Sequence, residues 1–105
     1  MVVQMEGDLL ELYLTGKSGR YKDVARNKTL RDGFFRVVET MKIVSKAEDL
    51  KNFSYLHYEQ LKYQYSGFCS VRLSNSYIHR LIFREIAGGV EVKLIDIDDT
   101  HYGNK

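Results

Sequence analysis

Proline is absent from the 105-residue sequence, and cysteine occurs once, at Cys69. One thiol cannot close an internal disulfide or assemble a thiolate zinc site, which excludes a disulfide-stapled secreted miniprotein and a zinc finger. A reducing cytoplasm fits that cysteine usage, so a cytoplasmic location is expected. With no proline, no repeat and no low-complexity tract, no internal linker is visible, and residues 1–105 read as a single domain. No apolar run approaches 18 residues, and the first residues have neither a basic flank nor a long apolar stretch, so no membrane span, signal peptide or membrane partner is expected. A phosphate-binding glycine loop, a paired-histidine metal signature and a nucleophile elbow are all missing, so neither metal nor cofactor is expected.

The residues present suit a folded chain. Hydrophobic residues make up 44% and charged residues 29%, far from the composition of disordered segments. A chain of this size can bury about 65% of its unfolded surface. The net charge of +2 hides an uneven distribution. Between Lys17 and Arg36, Lys17, Arg20, Lys22, Arg26, Lys28, Arg31 and Arg36 stand against Asp23 and Asp32, and seven minus two leaves a local +5. Such a run suits phosphate; its plain alternative is a solvated helix face.

Spacing divides the chain into a helical first half and a strand-rich second half. Val2 and Val3 predict a short strand, and Asp8 is a candidate N-cap for a helix over about Leu9 to Thr15, stopped by Gly16. Leu30, Phe34, Val37, Val38 and Met41 follow the i, i+3, i+4, i+7 ladder of an amphipathic helix, which begins between Asp23 and Thr29 and ends near Ser45. Lys46 to Leu50 then makes a separate short turn. Strand signals cover Leu61 to Tyr65, Phe68 to Leu73, Ile78 to Ile86 and Val90 to Ile97, with hairpin turns at Asn75-Ser76 and Ala87-Gly88-Gly89. The third run is apolar on both faces and reads as the central strand. Helices followed by an antiparallel meander predict an α+β fold of two layers, with one sheet face left open.

His57, Lys62, Arg72, His79, Arg80, Arg84 and His101 are spread along that meander. Self-cleavage of RNA by its 2′-hydroxyl needs an acceptor for that proton, cations for the phosphorane and an acid for the leaving 5′-oxygen, tasks these side chains can share without metal. Each also has an ordinary reading. Arg84 beside Glu85 suits a surface ion pair, His79 suits a hydrogen-bonded boundary histidine, and Cys69 suits a small buried hydrophobe. Tyr55, Tyr58, Tyr63, Tyr65, Tyr77 and Tyr102 suit either base stacking or sheet packing.

The segments Leu56-His57-Tyr58-Glu59-Gln60-Leu61-Lys62, Gly67-Phe68-Cys69-Ser70-Val71-Arg72, Arg80-Leu81-Ile82-Phe83 and Asp99-Thr100-His101-Tyr102 follow one another in this order. In that order the chain resembles the RelE/ParE superfamily, and within it the HigB type of bacterial toxin, over about residues 50–102. The first half agrees in layout. The resemblance implies a RelE-like fold and a type II toxin that cleaves messenger RNA in the ribosomal A site, without metal, and is held inactive by a cognate antitoxin, a helix-turn-helix protein from the adjacent gene. It also implies catalytic roles for His57, Lys62, Arg72, Arg80 and His101. Ribosomal RNA would be met by Lys17, Arg20, Lys22, Arg26, Lys28 and Tyr102.

Two departures stand out. Thr100 replaces the tyrosine of the family's terminal Asp-Tyr-His, with Tyr102 beyond His101, and the loop between Arg72 and Arg80 is long. A two-residue turn at Asn75-Ser76 pairs 72 with 79 and sends Arg72 and Arg80 to opposite faces unless a bulge intervenes. Two rivals follow from the resemblance: a ParE-like toxin that binds DNA gyrase without cleaving nucleic acid, and a degenerate RNA-binding member.

Overall fold

A computed structural model describes residues 1–99 of the chain. The candidates Thr100, His101 and Tyr102 lie outside the described residues. The elements run β1 (Val2–Gln4), α1 (Gly7–Thr15), α2 (Lys22–Arg26), α3 (Lys28–Ile43), β2 (Glu59–Gln60), β3 (Phe68–Arg72), β4 (Arg80–Ile86) and β5 (Glu91–Asp98), with short 3-10 turns between α3 and β2 and inside the hairpin loops. The strands form one sheet in the order β1-β5-β4-β3-β2. The expected two-layer α+β architecture is present, and β4 is the central strand.

Local chemistry accounts for most boundaries. Gly16 ends α1 in the left-handed region at φ 73°, where glycine has no Cβ to clash. The N-cap of α1 is Glu6, so Asp8 falls within its first turn instead of capping it. The long amphipathic helix is interrupted at Asn27, whose side chain accepts a hydrogen bond from the Leu30 amide and starts α3. One buried stripe of α3, Leu30, Phe34, Val37, Val38 and Met41, packs with Val71, Leu81, Phe83, Val92 and Leu94 of the sheet to form the core. Phe34 is 1% exposed. Phe34→Ala is expected to cost about 3–5 kcal/mol, read as the loss in denaturant unfolding free energy; a loss under about 1 kcal/mol would contradict this packing.

Three expectations change. β1 runs parallel to β5, so the sheet is mixed, while β2 to β5 pair antiparallel as the meander requires. The predicted strand over Leu61 to Tyr65 is not formed. Its place is taken by the two-residue β2 and a 3-10 turn at Tyr63–Tyr65, because Tyr63 stands at φ 59° and breaks the extended path. Val90, expected to begin the buried alternation of the last strand, is exposed and precedes it.

A further change sets the geometry of the sheet face away from the helices. The β3–β4 connection is wider than a two-residue turn. The Leu73 amide donates to the His79 carbonyl at 3.2 Å, and Ser74 to Ile78 form the loop between them, closed by the Tyr77 amide on the Ser74 carbonyl at 3.4 Å. Arg72 therefore pairs with Arg80 instead of residue 79. The two arginines share a face with no bulge between them. The bulge lies between β4 and β5, where Ile82 pairs with Asp96 but Phe83 with Leu94, leaving Ile95 as the extra residue.

Candidate functional site

Alternation along β3 and β4 sends Cys69, Val71, Leu81 and Phe83 into the core under the helices and turns Ser70, Arg72, Arg80 and Ile82 to the opposite face. The register builds two rows on that face. One runs Glu59, Ser70, Ile82, Asp96 and the other Arg72, Arg80, Asp98. Ile82 and Leu61 are buried yet stand outside the helix-facing core.

Arg80 is held firmly. Its Nε donates to Ser70 Oγ at 2.8 Å, and one terminal nitrogen donates to the His57 carbonyl at 2.6 Å and lies 3.8 Å from the Glu59 carboxylate. Its side chain is only 12% exposed. Burial lowers its pKa against the opposing charge of Glu59, with a smaller lowering from Arg72; a guanidinium remains protonated at neutral pH regardless. Ser70 is fully buried, so its hydroxyl acts as a fixed acceptor that orients the guanidinium plane.

Arg72 is held differently. Its Nε is buried and has no hydrogen-bond partner among the described residues, a costly state for a charged donor. Two like charges directly opposite in a sheet also repel. The pair together presents two guanidinium groups side by side, an arrangement that suits a tetrahedral oxyanion.

The other candidates divide. His57 stands at φ 48°, which turns its carbonyl to Arg80 while its ring nitrogen Nε2 lies 3.2 Å from Asn75 Oδ1. His57 thus supports Arg80 through its backbone, and its imidazole meets the β3–β4 loop. Lys62 is exposed on the 3-10 turn after β2 and lines a hollow of about 230 Å³ with Glu59, Gln60, Leu61 and Tyr63. Glu59 links that hollow to Arg80.

The basic segment is only partly available. Arg20 lies 3.7 Å from Asp96 and over the Tyr21 ring, and Lys28 is paired with Asp32 at 2.6 Å. Lys17, Lys22 and Arg26 are exposed, with no ion pair among the described residues. Exposed tyrosines include Tyr63, at 81%, and Tyr55.

His79 and Cys69 follow their ordinary readings. His79 is 13% exposed and hydrogen-bonded to Asp23 at 2.7 Å. Cys69 is buried, and burial pushes its thiol up to about 11, which removes it as a nucleophile near neutrality.

Sequence reasoning missed Glu59 and Ser70. Both residue types are common on strands, and only the register Glu59 to Ser70 and Arg72 to Arg80 brings them to the arginines. No protein-family model matches the chain, and no curated protein matches it.

Proposed function

We propose that the chain is a RelE/ParE-like toxin of the HigB kind, a metal-independent endoribonuclease that cleaves messenger RNA on the ribosome. The observation that supports this reading best is the Arg72–Arg80 pair on the sheet face away from the helices, with Arg80 oriented by Ser70 and Arg72 Nε without a hydrogen-bond partner among the described residues. The phosphorane is a dianion, one negative charge more than the phosphodiester it forms from, and preorganised guanidinium groups stabilise it without moving. In this reading Lys62 adds a third cation, His57 supports Arg80, and His101 transfers the proton. A cognate helix-turn-helix antitoxin would hold the protein inactive in the cytoplasm. No helix among the described residues is long and apolar enough to cross a membrane.

Primer extension on cellular messages after brief expression tests the reading. Cuts in phase with codons support it. Intact messages with altered plasmid supercoiling would instead favour a gyrase-binding toxin of the ParE kind, and intact messages with retained ribosome binding a degenerate RNA-binding member.

Ribosome association should depend on the exposed basic residues that are not engaged in ion pairs. Replacing Lys17, Lys22 and Arg26 by glutamine is expected to weaken association and to flatten its salt dependence by about three counterions. Sedimentation with ribosomes across a salt series measures this, and an unchanged slope would return these residues to the role of solubilising charges.

A further inference from the structure

Three metal-ligating side chains from distant segments converge: Asp23 on α2, His79 immediately before Arg80 and β4, and Asp99 just after β5. One ligand atom from each lies within 4.8 Å of the others. They line a hollow of about 230 Å³ together with Arg20, Tyr21, Asp96 and Ile97. Asp96 already has partners there, the Tyr21 hydroxyl at 2.6 Å and Arg20 at 3.7 Å. Asp23 lies 2.7 Å from His79 Nε2, and among the described residues no lysine or arginine forms an ion pair with Asp23 or Asp99. One imidazole beside two carboxylates is a donor set that suits a dication.

We infer that this hollow binds a divalent transition-metal cation through His79 Nε2 and one oxygen each from Asp23 and Asp99, with water in the remaining positions. The donor set selects the cation. One imidazole with two carboxylates suits zinc, manganese or iron, whereas magnesium favours an all-oxygen shell rich in water. Bonds of about 2.1 Å at a tetrahedral angle hold ligand atoms about 3.4 Å apart. The His79–Asp23 separation of 2.7 Å must open by about 0.7 Å to reach that spacing, and Asp99 must swing inward. Both carboxylates are exposed, so side-chain rotation supplies the movement.

His79 Nδ1 is buried without a hydrogen-bond partner among the described residues. No acceptor among them fixes the tautomer, and Nε2 can present its lone pair while the proton rests on Nδ1. The bound ion would tie α2 to the ends of β4 and β5.

Calorimetric titration of the chelator-treated full chain with zinc and with manganese, with magnesium as the control, tests the site. One saturable equivalent per chain is expected for zinc or manganese, accompanied by a rise in melting temperature, with magnesium inert at the same concentration. Asp99→Asn changes an exposed residue and should leave folding intact while weakening binding by about tenfold or more; His79→Gln should do the same. His57→Gln should bind as the parent does. Lack of saturation at millimolar zinc and manganese, or equal affinity in the Asp99→Asn and His79→Gln proteins, would reduce the cluster to a His–Asp hydrogen bond with a neighbouring carboxylate and overturn the inference. Binding is read here without RNA cleavage, so its failure leaves the nuclease reading untouched.

Discussion

Gly33→Ala is expected to destabilise the protein by about 3 kcal/mol or more, although it adds only one methyl group. A Cβ built at Gly33 stands 2.2 Å from the Leu73 carbonyl oxygen and 3.0 Å from its carbon. That oxygen is backbone and cannot rotate away. Either α3 lifts from the sheet or the chain at the end of β3 moves, and overpacking of a buried site costs 1–3 kcal/mol, occasionally more. For a domain of this size the loss corresponds to a fall in melting temperature on the order of 10–20 °C. Leu73 adjoins Arg72 and pairs with His79, so whatever variant still folds should also have a displaced arginine pair. A melting temperature within about 2 °C of the parent would show that α3 does not approach β3 this closely.

The second large effect concerns the arginines. Arg72→Gln and Arg80→Gln should each reduce ribosome-dependent cleavage by about 100-fold to 1000-fold, the usual consequence of losing one electrostatic contact to a charged transition state. Their stabilities should move in opposite directions. Arg80 makes hydrogen bonds to Ser70 and the His57 carbonyl, so its loss leaves a buried hydroxyl and a carbonyl without their donor and destabilises the fold. Arg72 has a buried Nε without a partner and a like charge across the strand, so Arg72→Gln should leave the melting temperature unchanged or raise it. A stability gain with loss of function marks a strained group kept for its chemistry. Arg80→Lys should not rescue cleavage, because an ammonium cannot reproduce the planar fork that meets Ser70 and His57 together. Parental cleavage rates in both glutamine variants would remove the arginine face from the reaction.

Much of the architecture was legible in the amino-acid order. The ladder Leu30, Phe34, Val37, Val38, Met41 requires a helix with one buried stripe, and these five residues are buried together. Ile78 to Ile86, apolar on both faces, correctly indicated a central strand, because only a central strand has both faces and both edges covered. Gly16 marked the end of α1 through a backbone angle that disfavours a side chain. Each of these features depends on contacts within a few turns or on burial alone, so periodicity carries it.

Tertiary structure decided the rest. Whether Arg72 and Arg80 share a face depends on the parity of the pairing across a loop, and a change of one residue sends every side chain to the other side. The composition of Ser74 to Ile78 permits both a tight turn and the wider loop found. Helix α3 sets the surroundings of that loop, with Gly33 allowing the approach to the Leu73 carbonyl. The parallel pairing of β1 with β5, the Glu59–Arg80 contact and the meeting of Asp23, His79 and Asp99 likewise join residues far apart in the chain. Such contacts follow from how layers pack and strands order, and no local pattern of side chains encodes them.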